Sequence, residues 1–452
     1  MPTSESQSSH KQLLKDFTDL ITKGTVSQVR EKLQELHPAD IAHLMESLPQ
    51  DLRESIRELI APEIEGEVLI HLQEEIRARL IAEMDETKLV EVAQTLDNDD
   101  LVDILADFPD EVIPQVLDAM DEQRRQRVEA AMAYPEDTAG GLMNTDTITV
   151  RADISLDVVL RYLRRLGAIP ESTDSLFVVD RDGVYLGAIR LTQLLISDPG
   201  QKVKDLLSTE LGGIDAFTSE KDVAALFTRR DLISAPVVNS EGKLLGRITI
   251  DDVVDVIRED ADHSLMSMAG LSEEDDMFAP VVTSSRRRTL WLGINLLTAL
   301  LASWVIGHFE NTIEKLVALA VLMPIVASMG GIAGSQTLTI VIRGIAVGKI
   351  SRGNTLRLLN KETLVGIVNG CIWASIVAGI AVLWFQDYQL GAVIGAAMLI
   401  NLVVAAIAGA IIPIALQQLN IDPALAGGVV LTTVTDVIGF LSFLGLAALF
   451  IV

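Results

Sequence analysis

Five apolar segments in the second half of the chain limit what it can fold into. They cover about residues 290–307, 316–342, 363–385, 390–416 and 424–452. Each reaches the roughly 18–20 residues that a helix needs to cross the hydrocarbon core of a bilayer. A soluble protein has no use for five such segments in succession. The sequence therefore predicts an integral membrane protein with a five-span α-helical transmembrane domain.

Charge is distributed very unevenly along the chain. From residue 290 onward six acidic and six basic residues cancel, so the whole formal net charge of −27 lies in residues 1–289. A strongly acidic surface repels phosphate, which argues against nucleic acid as a partner. Carboxylate oxygens suit hard divalent cations. An acidic surface that only maintains solubility would explain the same charge.

Cysteine and histidine usage gives little reason to expect an enzyme. Cys371 is the single cysteine and lies in an apolar segment, so neither a disulfide framework nor a thiolate metal site is expected. The six histidines are scattered and none belongs to a nucleophile or metal motif. Residues 1–30 are polar and lack the apolar core of a secretory signal.

The short flanks of the apolar segments predict their orientation. Basic residues precede the first segment at 286–288 and fill the connection between the second and third at 349–361. The connection 386–389 has none. Because basic residues favour the cytosolic side, residues 1–289 are expected in the cytosol and Val452 outside, across a bacterial inner membrane.

Asp436 lies about midway along the last apolar segment. A charge at that depth costs on the order of 2.5–3.5 kcal/mol unless it faces water, a cavity or a partner. Two interpretations follow: a cation site in a water-filled pore, or a protonated carboxyl that hydrogen-bonds between helices. Asn401 and Gln336 are expected to form interhelical hydrogen bonds.

The second apolar segment contains Pro324 and the glycine-rich stretch Gly330-Gly331-Ile332-Ala333-Gly334. Proline and clustered glycines predict a helix break, and exposed backbone at membrane depth is tolerated where it lines a cavity. Close helix packing through Gly330 and Gly334 is a second interpretation, and the two do not exclude each other.

Residues 138–257 contain an internal duplication. The stretch 177–195 (FVVDRDGVYLGAIRLTQLL) aligns without a gap with 236–254 (PVVNSEGKLLGRITIDDVV). Each copy predicts a strand, a turn, a strand and a helix, and an amphipathic helix precedes each. This pattern resembles the CBS domain, an α/β module that works as a tandem pair and sometimes holds an adenine nucleotide.

Residues 11–132 show helical periodicity interrupted by prolines, which predicts a helical solenoid. Asp99, Asp103 and Asp107 would share one helix face, where like charges repel. A bound divalent ion would stabilise that face, or it is only solvated.

The order of these motifs resembles the MgtE family of magnesium channels. The carrying elements are Leu36–Pro49 with HPAD at 37–40, Asp97–Leu105, YPEDTAGGLM at 134–143, the paired repeats, AGLSEEDDMF at 269–278, RRRTLW at 286–291, the glycine-rich segment, Asp422-Pro423 and Asp436. The resemblance covers the chain from about residue 30 to its end.

The resemblance implies a homodimer with Asp436 of both chains at a hydrated Mg²⁺, and a plug helix that closes the cytosolic mouth. It also implies regulatory Mg²⁺ between the acidic domains. The matching acids are Asp99, Asp100, Asp251, Asp252, Asp255, Glu259 and Asp262. The expected pore lining is Gly330, Gly331, Ile332, Gly334 and Gly428. ATP at the CBS pair is a further expectation.

Three positions depart from the family pattern. Ile332 and Ser335 stand where the glycine-rich segment usually has Asn, and Gly428 stands where some members have Asn. Losing amide oxygens removes ligands for an ion or its water shell, so ion selectivity is left open.

The expected function is a Mg²⁺ or divalent cation channel gated by cytosolic Mg²⁺. A proton-coupled carrier and a non-conducting membrane sensor of Mg²⁺ or nucleotide remain as alternatives. The expected domains are an acidic helical N domain at 1–133 with about the first ten residues disordered, the CBS pair at 134–257 (about 138–198 and 199–257), a connecting plug helix at 258–284 and the transmembrane domain at 285–452.

Overall fold

The computed structural model describes residues 17, 20–21, 25–170, 172–272, 276–351 and 353–451. The chain divides into two compact units, Met1–Asp260 with Glu274–Ala279 and Ala261–Glu273 with Pro280–Val452. We name them after their predicted locations, the cytosolic unit and the membrane unit, and describe each by itself. The expected disorder of the first ten residues lies outside the described residues.

The cytosolic unit begins with a series of short helices, as the proline spacing predicted. They are α1 (Val26–Gln34), α2 (Pro38–Glu46), α3 (Gln50–Arg57), α4 (Pro62–Ile70), α5 (Glu74–Ala82), α6 (Glu86–Thr95), α7 (Asn98–Leu105), α8 (Ile113–Asp118) and α9 (Glu122–Ala131). Pro38 and Pro62 occupy the first turns of α2 and α4, where the missing N–H is not needed. The His37 ring accepts a hydrogen bond from the Ala39 N–H and caps α2.

Two three-stranded sheets follow, one for each sequence repeat. The first repeat contains β1 (Thr149–Arg151), α10 (Leu156–Leu166), β2 (Ser175–Val179), β3 (Tyr185–Arg190) and α11 (Leu191–Ile196). The second contains β4 (Ile214–Asp215), α12 (Glu220–Arg230), β5 (Ser234–Val238), β6 (Leu244–Thr249) and α13 (Ile250–Ser267). In each sheet the short first strand is parallel to the middle strand and the third is antiparallel to it. The duplication is confirmed, although β1 and β4 were not predicted.

The cytosolic unit has two hydrophobic cores. One extends from α1 to α9 and continues into the second repeat through residues such as Ala139, Met143, Val237 and Val253. The first repeat has its own core around Leu156, Val178 and Ile189. The helical domain is therefore packed directly against the second repeat, so side chains of α7 and α13 can form one site.

The described residues of the segment expected to form a plug helix at 258–284 belong to two different helices, with non-helical residues between them. Its first helical part continues α13, which begins at Ile250 because no breaker separates the two stretches. Gly270 follows with φ of +71°, a conformation that glycine adopts without a steric penalty. Residues 281–284 belong to the first membrane helix.

Five helices of the described chain are long and apolar enough to cross a membrane, which confirms the five predicted spans. They are α14 (Val281–Gly307), α16 (Ala318–Ala346), α17 (Thr355–Phe385), α18 (Tyr388–Gln418) and α19 (Pro423–Phe450), with the short α15 (Glu310–Lys315) between the first two. Two of them begin before their apolar cores, so 286–288 lie within the first three turns of α14 and Arg357 within the first turn of α17.

The predicted break in the second span is wrong, because α16 is one continuous helix that passes through Pro324 and the glycine-rich stretch. A Cβ on Gly330 would lie 2.2 Å from Nδ2 of Asn401. A Cβ on Gly334 would lie 2.9 Å from a methyl carbon of Leu431. The glycines thus allow α18 and α19 to pack closely against α16, which is the packing interpretation.

We expect Gly330→Ala to destabilise the membrane unit, because the added methyl would overlap the buried carboxamide of Asn401, which is 0% exposed. Overpacking of this kind typically costs about 1–3 kcal/mol. The measurement is the thermal midpoint of the detergent-solubilised full chain. Gly331→Ala is the matched control, since its Cβ would meet no atom within 4 Å. Equal midpoints for the two variants would contradict the packing role of Gly330.

Candidate cation sites

A groove lined by apolar and polar residues runs along α16 and α19 in the membrane unit. Its volume is about 900 Å³. Its lining consists of Ala327, Ser328, Gly331, Ile332, Ser335, Gln336, Thr339, Ile340, Thr432 and Asp436. Hydroxyl, amide and carboxylate groups therefore converge on one side of two apolar helices.

Asp436 supplies the carboxylate of this groove. It is half-buried on α19, and among the described residues no hydrogen bond or ion pair engages its side chain. The interhelical hydrogen bond that one interpretation required is therefore not formed within the described chain. The carboxylate instead faces a space large enough for a hydrated ion.

The residues expected to line the pore lie in different surroundings, and their role in a pore stays a prediction. Gly331 and Ile332 line the groove, with Ile332 54% exposed at its edge. Gly330 and Gly334 do not line it, because both are buried against neighbouring helices. Gly428 is not among the lining residues, although its carbonyl accepts a hydrogen bond of 2.9 Å from Thr432.

Polar side chains of the groove were underestimated from the sequence. Gln336 was expected to hydrogen-bond between helices but lines the groove instead. Asn401 does make the expected interhelical bond, donating from Nδ2 to the Val326 carbonyl at 2.9 Å. The spacing of Thr432 and Asp436, one helical turn apart, was the available signal that both face the same side.

Acidic side chains of α7 and α13 come together in the cytosolic unit. We call the following residues the acid cluster: Asp99, Asp100, Asp103, Asp251, Asp252, Asp255 and Glu259. Oδ2 of Asp99 accepts a hydrogen bond of 2.8 Å from Nδ2 of Asn144, whereas its Oδ1 is buried without a partner. Oδ2 of Asp252 accepts one of 3.0 Å from the Thr249 hydroxyl.

Burial and repulsion between carboxylates raise the pKa of several acids of the cluster. Burial, followed by the charges of Asp251 and Asp99, raises the pKa of Asp252 to about 8. Burial, followed by the charges of neighbouring aspartates, raises the pKa of Asp100 to about 7. The same causes raise the pKa of Asp103 to about 7. With the helical domain packed against the second repeat, ionised carboxylates of the cluster repel one another, and a bound cation would reduce this repulsion.

Six of the seven predicted regulatory acids belong to this cluster; the exception is Asp262. Asp103 also belongs to the cluster, although the sequence analysis placed it only on an acidic helix face and not among the regulatory acids. Asp107 does not share that face, because α7 ends at Leu105, and it pairs with Arg77 instead. Asp262 belongs to the membrane unit, and its regulatory role stays a prediction.

Among the described residues, no group of three or more His, Cys, Asp or Glu side chains is arranged to hold a metal ion directly. The acid cluster is therefore not a closed coordination shell. It fits Mg²⁺, which keeps several waters and typically uses one or two carboxylates. The unpartnered Oδ1 of Asp99 is an acceptor available for such a hydrated ion.

The membrane unit has five membrane helices and a groove that contains a carboxylate. The other unit is acidic and contains a CBS pair. Together these features define a polytopic membrane transporter for cations. The magnesium transporter MgtE of Thermus thermophilus is 30% identical over 444 residues, which cover 97% of this chain and 98% of that protein. The chain belongs to the MgtE family of divalent cation transporters.

The family models divide the chain in the same order as its fold. The MgtE divalent cation transporter model matches 323–446, the MgtE intracellular N domain 36–137, and the CBS domain 139–198 and 203–259. The magnesium transporter MgtE of Bacillus subtilis is 28% identical over 432 residues, or 96% of each chain. A solved cytosolic domain of the Mg²⁺ channel MgtE in complex with ATP is 32% identical, with a TM-score of 0.49, and covers 54% of this chain and 99% of that one.

Proposed function

We propose that this protein conducts Mg²⁺ through the groove that contains Asp436. The observation that carries the proposal is the carboxylate of Asp436, which faces a groove of about 900 Å³ without a partner in the described chain. A carboxylate at membrane depth is stabilised by a cation or water. The relatives named magnesium transporters support Mg²⁺ as the cargo.

The side chains around Asp436 would hold the ion through its water shell. Gln336, Ser335 and Thr432 contribute amide and hydroxyl oxygens on the same groove. Mg²⁺ loses its waters reluctantly, so a groove wider than the bare ion suits it. Ile332 contributes no oxygen, so discrimination between Mg²⁺ and other divalent ions depends on fewer groups than the family pattern provides.

We propose that the acid cluster senses cytosolic Mg²⁺. Without a cation, the carboxylates of α7 and α13 repel each other and oppose docking of the helical domain on the second CBS repeat. A bound divalent ion stabilises only the docked arrangement and so shifts the population toward it. In this scheme the docked form is the closed channel.

Several finer predictions form part of the same proposal. The protein acts as a homodimer in a bacterial inner membrane, with residues 1–289 cytosolic and the C-terminus outside. ATP binds the CBS pair, for which the ATP-bound MgtE cytosolic domain is the precedent. The domain bounds are 1–133, 134–257, 258–284 and 285–452, with the plug function assigned to the end of α13.

Ion flux into liposomes containing the full chain tests the proposal. We expect uptake of Mg²⁺ down its gradient without a pH gradient, and a ranking over Mg²⁺, Ca²⁺, Mn²⁺ and Co²⁺ that shows the effect of Ile332. Uptake that requires a pH gradient would instead favour a proton-coupled carrier. No flux of any divalent ion at very low internal Mg²⁺ would leave the sensor alternative.

The raised pKa values predict how stability depends on pH. Three aspartates have pKa values of about 7 to 8 in the folded state and near 4 in the unfolded state. Between pH of about 4 and about 8 the folded state therefore binds more protons, so the free energy of unfolding should fall as pH rises through this range. This dependence should appear in chelator, and stabilisation by Mg²⁺ should grow with pH. The measurement is the thermal midpoint of the full chain across pH, with and without Mg²⁺.

Two variants separate the acid cluster from other carboxylates in this experiment. Asp252→Asn removes the group with the highest of these pKa values and should flatten the dependence. Asp182→Asn alters an exposed acid of the first repeat and should leave it unchanged. A flat wild-type profile in chelator would contradict the electrostatic account.

A further inference from the structure

Arg53 and Asp276 form a buried, bidentate ion pair in the cytosolic unit. Nη1 of Arg53 lies 2.6 Å from Oδ2 of Asp276, and Nη2 lies 2.8 Å from Oδ1. The two side chains are 2% and 1% exposed. Paired, parallel hydrogen bonds of this kind fix both orientation and distance.

The surroundings hold both partners rigidly. Arg53 also donates from Nε to the Met45 carbonyl at 2.8 Å and from Nη2 to the Glu46 carbonyl at 3.2 Å. The backbone N–H of Asp276 donates to Oε2 of Glu75 at 3.1 Å. The helical domain therefore holds Asp276 through Arg53 of α3 and Glu75 of α5, and the end of α2 holds Arg53 in place.

Stability alone does not explain this pair. Burial opposes the charge of Asp276, but the hydrogen bonds from Arg53 outweigh it and hold the pKa of Asp276 below its usual value. Taking both charges out of water largely offsets their attraction, and apolar residues often stabilise such a position equally well. The pair instead provides specificity: its two parallel hydrogen bonds form in one relative orientation of the two side chains and are lost in others.

The position of Asp276 in the chain gives this contact a consequence. Residues 276–279 belong to the cytosolic unit, and the chain continues through Pro280 directly into α14, the first membrane span. The helical domain thus holds the chain immediately before the membrane helix. This attachment is separate from α13, which ends at Ser267.

We propose that the Arg53–Asp276 pair is a latch through which the helical domain positions the entry to α14 and passes the state of the acid cluster to the membrane unit. The inference rests on the proposed gating by cytosolic Mg²⁺. Docking of the helical domain fixes α3, and the latch fixes residue 276 with it. The membrane unit then receives the signal at α14 as well as through α13.

The test compares variants of the full chain in liposomes over a range of internal Mg²⁺. Asp276→Asn and Arg53→Gln should raise the Mg²⁺ concentration for half-inhibition by at least about fivefold, the lower end of typical coupling between sites. Flux without internal Mg²⁺ should be unchanged. Arg53→Lys, which keeps the charge but not the forked geometry, should give an intermediate shift.

Glu65→Gln is the matched control. It removes the charge of another buried ion pair in the same domain, Arg57–Glu65 at 3.4 Å, which does not involve residues 276–279. It should leave half-inhibition unchanged. A shift as large as that of Asp276→Asn would indicate general destabilisation and overturn the latch.

Hydrogen exchange of the 276–279 backbone separates the latch from the proposed function. Protection should rise with Mg²⁺ in the wild type and be lost in Arg53→Gln. Lost protection with unchanged half-inhibition would make the pair structural only and overturn the proposal. If Mg²⁺ does not inhibit the wild type, the proposed gating fails, and Mg²⁺-independent protection would then overturn the latch as well.

Discussion

Replacing Asp436 with Asn is expected to reduce Mg²⁺ flux into liposomes on the order of 10- to 100-fold. Charge-assisted contacts contribute about 1.5–3 kcal/mol each, which corresponds to that range. The variant keeps the size and position of the side chain in the groove and removes only its charge. A cation that enters the apolar region would then meet only neutral oxygens from side chains such as Gln336 and Thr432.

Asp387→Asn is the matched control for this prediction. Asp387 caps α18 by accepting hydrogen bonds from the backbone N–H groups of Gln389 and Leu390, and Asn serves equally well at such a position. Its flux should equal that of the wild type. Full flux in Asp436→Asn, with correct folding shown by an unchanged elution volume, would remove Asp436 from the ion path.

The triple variant Asp251→Asn, Asp252→Asn and Asp255→Asn is expected to stay open at internal Mg²⁺ concentrations that close the wild type. These substitutions remove most of the α13 charge that a bridging ion would neutralise, and with it the difference in Mg²⁺ affinity between docked and undocked forms. A ligand without such a difference shifts no equilibrium. We expect half-inhibition to move at least about tenfold higher in patch recordings from reconstituted channels.

A second triple variant controls for the change in net charge. Asp153→Asn, Asp157→Asn and Asp182→Asn alter three exposed acids of the first repeat, outside the acid cluster. Their recordings should match the wild type. Unchanged Mg²⁺ inhibition in the α13 triple variant would reject the acid cluster as the sensor and leave the conduction proposal standing.

Local sequence patterns were enough to predict the membrane spans, the repeated α/β module and the short helices that prolines separate. Each of these follows from a local pattern: apolar length, period-two strands around the Gly183 and Gly242 turns, and prolines at helix starts. The strands β1 and β4 were not predicted, because a strand of two or three residues shows too little periodicity to be recognised. Their pairing depends on β2 and β5, which are distant in the chain.

The position of Asp436 in the last span also followed from the sequence, whereas its surroundings did not. The glycine-rich sequence of α16 is compatible with a helix break and with close packing. Only the structure shows that the helix is continuous and that the Asn401 carboxamide packs against Gly330. Gln336 likewise points to the groove because its neighbours at 330 and 334 are turned toward α18 and α19.

The cytosolic unit shows the same division between local pattern and tertiary contact. The acidic residues of α7 and α13 were visible as separate groups, but their meeting required the core that the helical domain shares with the second repeat. The Arg53–Asp276 pair joins positions 223 residues apart, and no local pattern predicts that these two residues meet. Local sequence sets which helices and strands form, whereas burial of their apolar faces decides which distant charges become neighbours.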